Sequence, residues 1–186
     1  MVQATDGREI GLVVCNAAYA PIGGFLDLTA EQAQRAVAVN CLAPMTFAQR
    51  FLPAMRRRGR GGFIVMSSRS GLQGTPPITL YAATKAFGAV FAEGLWKELK
   101  GTGVDVVTCV AGPIRTPGLV ESTLEAPGTL EADAVARAAL RGLGRGPRTV
   151  PGAVPRLSQF LMSRLLPRRA AIAIVSRASA GLAPRA

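Results

Sequence analysis

Tyr81 and Lys85 stand four residues apart in LYAATK, a spacing that puts both side chains on one face if the segment is helical. A phenol with its ordinary pKa of about 10 is a poor proton shuttle near neutrality, and a neighbouring ammonium favours its phenolate. Bringing that pKa down towards neutrality takes about 4 kcal/mol of differential interaction, which a charge in a partly dry site can supply. Ser68 precedes Tyr81 by thirteen residues, and a hydroxyl there can donate to a substrate oxygen as negative charge builds on it. Asn40 lies in VAVNCLAPM, four residues before Pro44. Proline has no N–H to donate and its ring crowds the carbonyl four residues back, so the Asn40 carbonyl is released and free to hold water. Each residue also has a plainer reading: an exposed helix for the pair, a turn for the serine, a kink for the asparagine.

The elements that position these residues follow from pattern. Glu9 to Cys15 (EIGLVVC) is a short apolar run ending at Asn16, the pattern of a strand buried on both faces of a parallel sheet. Thr29 and Gln32 form a capping box that opens a helix running towards Met55, closed by Arg56-Arg57-Arg58 and Gly59. Phe63 to Met66 is a second strand, running directly into Ser67-Ser68. A loop with Gly71, Gly74 and Pro76-Pro77 leads to a helix over roughly Leu80 to Lys100, and Val104 to Val110 is a third strand broken by Gly112-Pro113. A third helix is expected over Leu130 to Leu143 with Thr129 as N-cap, and Thr149 to Gly152 as a short last strand. Beyond it Leu157, Phe160, Leu161 and Leu165 recur at helical spacing among arginines. Strands alternating with helices imply an α/β fold with a parallel, doubly wound sheet, since parallel neighbours need crossovers. Ligands in such sheets bind beyond the carboxyl ends of the strands, where Asn16, Ser67-Ser68 and Gly112-Pro113 all fall.

Composition narrows the chemistry. The chain of 186 residues with 49% apolar content suits one globular domain. Histidine is absent, which removes histidine triads and histidine-ligated metals. Cys15, Cys41 and Cys109 are widely spaced and odd in number, fitting neither a disulfide framework nor a metal site and pointing to a reducing, cytoplasmic setting. The start MVQATDGREI has no signal-peptide pattern, and the apolar stretch from Ile10 to Leu26 is too interrupted to span a bilayer. Net charge is +11, with ten arginines and no acidic residue after Asp133. That divides the chain into a body over 1–152 and a basic amphipathic helical extension over 153–186. The extension suits peripheral contact with a membrane surface; nucleic acid is not expected as a partner.

Taken together, Asn16-Ala17-Ala18 after a strand, Asn40, Ser68 and Tyr81-Ala-Ala-Thr-Lys85 resemble the short-chain dehydrogenase/reductase family in order and spacing, from about Glu9 to Thr116. The resemblance implies a catalytic tetrad of Asn40, Ser68, Tyr81 and Lys85, and an NAD or NADP cofactor. It places Asn16 and Ala17 near the adenosine half of that cofactor, Ile114 and Thr116 near the nicotinamide carboxamide, and Tyr81 and Lys85 near its ribose. The implied reaction is reversible hydride transfer to or from the carbonyl or alcohol carbon of a small molecule, in a homo-oligomer when full-length. Two positions depart from the family pattern: Ala18 stands where glycine is usual, and Ala111-Gly112 where Pro-Gly is usual.

A dinucleotide fold begins with a strand, a glycine-rich turn and a helix that receives the pyrophosphate, and none of this precedes Asn16. The resemblance therefore implies the C-terminal portion of a Rossmann-like fold, with roughly the first three strands and two or three helices missing. A strand over Ile10 to Cys15 without its neighbour presents an apolar edge open to pairing with another chain. Two alternatives follow: an inactive truncated fragment or pseudoenzyme, and a basic protein that binds membrane surfaces or nucleic acid.

Overall fold

The computed structural model describes residues 5, 7–115, 128–153, 156 and 165–179. Strand β1 (Leu12–Cys15) is followed by a loop and by helix α1 (Ala30–Val37). The capping box is present: the Gln32 amide donates to the Thr29 hydroxyl at 3.1 Å, and the Thr29 amide donates to the Gln32 side chain at 2.9 Å. The long helix expected up to Met55 is interrupted. It widens into a π turn over Ala38–Leu42, where the Ala43 amide reaches back to the Ala38 carbonyl, and resumes as α2 (Ala43–Arg58). Pro44 sits in the first turn of α2 and cannot donate to the Asn40 carbonyl, so the wider turn forms where the ladder has lost a donor. Gly59, at φ 70°, closes α2 in the left-handed conformation that glycine adopts without steric cost.

Strand β2 (Gly61–Ser68), a 3-10 turn over Arg69–Leu72, helix α3 (Thr79–Glu98) and strand β3 (Val104–Ala111) come next. They are followed by short strands β4 (Ile114–Arg115) and β5 (Leu130–Glu131), helix α4 (Ala132–Gly142), strand β6 (Arg148–Thr149) and helix α5 (Arg168–Ser179). The main sheet has the order β1-β2-β3-β6 and every pairing in it is parallel. Helices supply the crossovers that parallel neighbours require. The third helix starts later than expected: Leu130 and Glu131 pair with Ile114 and Arg115, and Glu131, not Thr129, occupies the N-cap position without a side-chain cap. The residues of the helical spacing at Leu157, Phe160 and Leu161 lie outside those described.

Alternate residues of the strands face opposite ways. Val13, Phe63, Val65 and Val106 pack with Ala48, Leu52 and Met55 of α2 and Ala92 of α3 on one side. Ile64, Val107 and Cys109 pack with Val135 and Ala139 of α4 on the other. Strand β1 is not buried on both faces as its sequence suggests. Leu12 and Val14 are 40% and 46% exposed, because β1 is the sheet edge and α4 covers the second face only over β2 and β3. Among the described residues no helix is long and apolar enough to cross a membrane.

Candidate active site

Parallel register carries three strand ends to one side of the molecule. Cys15 lies opposite Val65, and Ser68 opposite Ala111, so Asn16, Ser68 and Gly112-Pro113 emerge together. Asn16 and Ala17 are exposed, and Ile114 is half-buried in β4. Thr116 lies outside the described residues.

Helix α3 begins at Thr79, which places Tyr81 in its first turn and Lys85 one turn further on. The Lys85 ammonium lies 5.5 Å from the centre of the Tyr81 ring and donates to the Met66 carbonyl at 2.7 Å. The Ser67 hydroxyl in turn donates to the Lys85 carbonyl at 2.7 Å. The Ser68 hydroxyl accepts from the Ser70 amide at 3.2 Å and is near enough to the Tyr81 phenol to favour its ionised form. Close approach of the turn after Ser68 to α3 requires glycine at 71. A Cβ there would meet the Ala86 nitrogen at 2.7 Å and the Lys85 carbonyl carbon at 2.8 Å. From the C-terminal side, the Arg168 guanidinium donates to the Leu72 carbonyl at 2.7 Å, tying α5 to the same turn.

Asn40 is 6% exposed, and its carboxamide oxygen and both N–H groups are hydrogen-bonded. Its oxygen accepts from the Tyr19 amide at 2.8 Å, while its nitrogen donates to the Tyr19 carbonyl at 2.8 Å and to the Thr84 hydroxyl at 2.9 Å. The Thr84 hydroxyl donates to the Tyr81 carbonyl at 2.8 Å. Asn40 therefore joins the loop after β1 to the first turn of α3 through its side chain, a contact that the sequence argument, concerned only with its carbonyl, did not anticipate.

Electrostatics correct one further expectation. The net effect on Tyr81 is opposite to the one expected from a neighbouring ammonium: burial pushes the phenol above its ordinary value, and the Ser68 hydroxyl opposes the rise. The Lys85 ammonium lies over the Tyr81 ring and donates to the Met66 carbonyl. Burial also lowers Lys85 from 10.5 to about 8, with the neighbouring Cys41 opposing. Near neutrality the pocket thus holds a protonated phenol beside a serine hydroxyl and an easily deprotonated ammonium. It can give a proton to an oxygen that is gaining negative charge.

Sequence reasoning placed Ser67 at the strand end but missed its bond to Lys85, and it missed the roles of Gly71, Tyr19 and Thr84. Of these only Ser67 and Thr84 had a local signal, each adjoining a residue already singled out; Gly71 and Tyr19 matter through contacts that span the fold.

Comparison with known proteins places the chain in a family. A family model described as short chain dehydrogenase matches residues 2–126, and the chain belongs to that family. It is 32% identical over 125 residues to human 17-beta-hydroxysteroid dehydrogenase type 1, a stretch that is 67% of this chain and 38% of that protein. It is 35% identical over 121 residues to a probable oxidoreductase of Mycobacterium tuberculosis, covering 64% of this chain and 20% of that one. A solved short-chain dehydrogenase from Sphingobium yanoikuyae in complex with NADPH superposes with a TM-score of 0.72 at 28% identity, over 89% of this chain and 69% of that one. The matched stretches accordingly span well under half the length of these two curated relatives.

Proposed function

We propose that the protein is a nicotinamide-dependent oxidoreductase that interconverts a hydrophobic ketone and its secondary alcohol. The observation that carries this reading is the meeting of the Tyr81 phenol, the Ser68 hydroxyl and the Lys85 ammonium beyond the carboxyl ends of β2 and β3. Family membership and the NADPH bound by the Sphingobium relative support it.

The residues present suit such a cofactor. Lys85 is 7% exposed, and among the described residues its ammonium donates only to the Met66 carbonyl. Further N–H donors in a buried place suit a ribose diol. Asn16 and Ala17, exposed at the end of β1, would meet the adenosine half, with Ile114 at the carboxamide end. When bound, the cofactor supplies or accepts the hydride. In reduction Tyr81 protonates the carbonyl oxygen, and in oxidation it takes the hydroxyl proton. Ser68 donates to the reacting oxygen as charge builds there. Lys85 orients the ribose, and the Asn40 carbonyl, which Pro44 leaves without a helical donor, holds the water that connects Lys85 to solvent.

The human relative is named for a hydroxysteroid substrate, and the sequence segment PGLVESTLEAPG is rich in apolar residues. Both favour an uncharged, apolar carbonyl compound. Assaying the protein with NADH and NADPH against steroid ketones and short polar ketones tests the reading. Cofactor oxidation with the apolar ketones is expected; no turnover of any ketone with either cofactor would overturn it.

A further inference from the structure

We infer that Thr84 is a positioning residue of the active site, whose hydroxyl links the turn that carries Tyr81 to the loop after β1 through the Asn40 carboxamide. The inference rests on the oxidoreductase reading for its meaning in catalysis, but not for its geometry.

Thr84 is 4% exposed and Asn40 6%, so neither exchanges these hydrogen bonds for water at no cost. The chain of bonds is continuous. The Tyr81 carbonyl accepts from the Thr84 hydroxyl, that hydroxyl accepts from the Asn40 nitrogen, and the Asn40 carboxamide exchanges two hydrogen bonds with the Tyr19 backbone. The threonine hydroxyl thus uses its donor on one partner and its acceptor on the other. Three segments distant in sequence are involved: the loop holding Tyr19, the π turn holding Asn40, and the first turn of α3. This network adds a continuous hydrogen-bonded path from Tyr19 to Tyr81. The Tyr19 ring is itself held beneath the Arg35 guanidinium, 4.6 Å from its centre, which anchors the far end on α1.

Removing the hydroxyl leaves one Asn40 N–H without its acceptor in a dry place, and the carboxamide can recover only by turning away from Tyr19. Loss of Thr84 is therefore felt at Tyr19, although the two side chains do not meet. A generic packing defect would loosen the whole domain instead.

The chain contains two tyrosines, Tyr19 and Tyr81, so a selectively 15N-tyrosine-labelled sample reports on both ends of the network. Amide hydrogen exchange is measured for the parent, Thr84→Val and Thr84→Ser, with Val106 in β3, labelled in a second sample, as the reference for overall stability. Exchange at Tyr19 is expected to accelerate roughly ten-fold in Thr84→Val, the scale of one buried hydrogen bond, and to return in Thr84→Ser, with Val106 unchanged. Unchanged Tyr19 exchange in Thr84→Val, or equal acceleration at Tyr19 and Val106, overturns the inference. Should Thr84→Val not fold, Thr84→Ala is read against Thr84→Ser by the same criterion. In turnover assays kcat for Thr84→Val is expected to fall about ten-fold with the ketone KM little changed, and Thr84→Ser to restore it. No turnover of any ketone by the parent protein would remove the oxidoreductase reading while leaving the exchange result standing; activity retained by Tyr81→Phe would remove only the role given to Tyr81.

Discussion

The Ser67 hydroxyl donates to the Lys85 carbonyl at 2.7 Å, which stitches the end of β2 directly to the helix that carries Tyr81. The Lys85 ammonium returns to the carbonyl of Met66, the residue before Ser67. Strand and helix are fastened at two points within one turn, and the hydroxyl of Ser68, next along the strand, is held against Tyr81 as a result.

Replacing Tyr81 by Phe removes the acid and base while keeping the ring that packs beneath Lys85. Turnover is expected to fall by roughly 10² to 10⁴-fold, the usual worth of a positioned proton donor, with the unfolding midpoint nearly unchanged. Steady-state kinetics alongside denaturant titration separates the two effects.

The raised phenol of Tyr81 sets the pH dependence. Ketone reduction uses the protonated form and is expected to stay level through neutrality into the alkaline range. Alcohol oxidation uses the phenolate and is expected to climb with pH over the same range. Initial rates in both directions across pH 6 to about 10 check the opposite trends.

Burial holds Lys85 at about 8 against 10.5 for an ordinary lysine. Between these values the unfolded chain carries a proton that the folded protein lacks, so this group's contribution to stability rises with pH there. Its penalty is complete below pH 8. The stability difference between the parent and Lys85→Met should therefore shift in the parent's favour, by about 3 kcal/mol, from below pH 8 to above 10.5. Denaturant unfolding of both proteins across that range measures the shift; a flat difference would contradict it.

Gly71→Ala tests the fit between the turn after Ser68 and α3. A methyl group there meets backbone atoms of Lys85 and Ala86 at 2.8 and 2.7 Å, and backbone cannot yield as a flexible side chain does. A loss of about 1 to 3 kcal/mol is expected. A fall in kcat accompanies it, because the turn moves Ser68 away from Tyr81.

Strand β1 lies at the sheet edge with Leu12 and Val14 40% and 46% exposed. The 186-residue chain is accordingly expected to self-associate through this edge, and Val14→Lys to reduce the association. Light scattering over a concentration series distinguishes this from a stable monomer.

Much of the architecture was legible locally. The apolar runs at β1, β2 and β3, the Thr29-Gln32 box and the Arg-Gly stop after α2 each depend on neighbours within a few residues, so the pattern alone located them. The short pairing of β4 with β5 was not legible, because Leu130 and Glu131 take their strand character from a partner sixteen residues away. The exposed face of β1 was missed for a related reason: an apolar run reveals that a strand suits burial, not how far a helix extends over it.

The sequence by itself determined which residues could do chemistry, since Ser68, Tyr81 and Lys85 owe their candidacy to functional groups and spacing along the chain. Only the tertiary structure decided how those groups are tuned and held. Burial lifts the phenol and depresses the ammonium, and the direction in which Lys85 points decides which neighbour it serves. Solvation and hydrogen-bond direction depend on atoms brought together from distant segments, as the path from Tyr19 through Asn40 and Thr84 to Tyr81 illustrates.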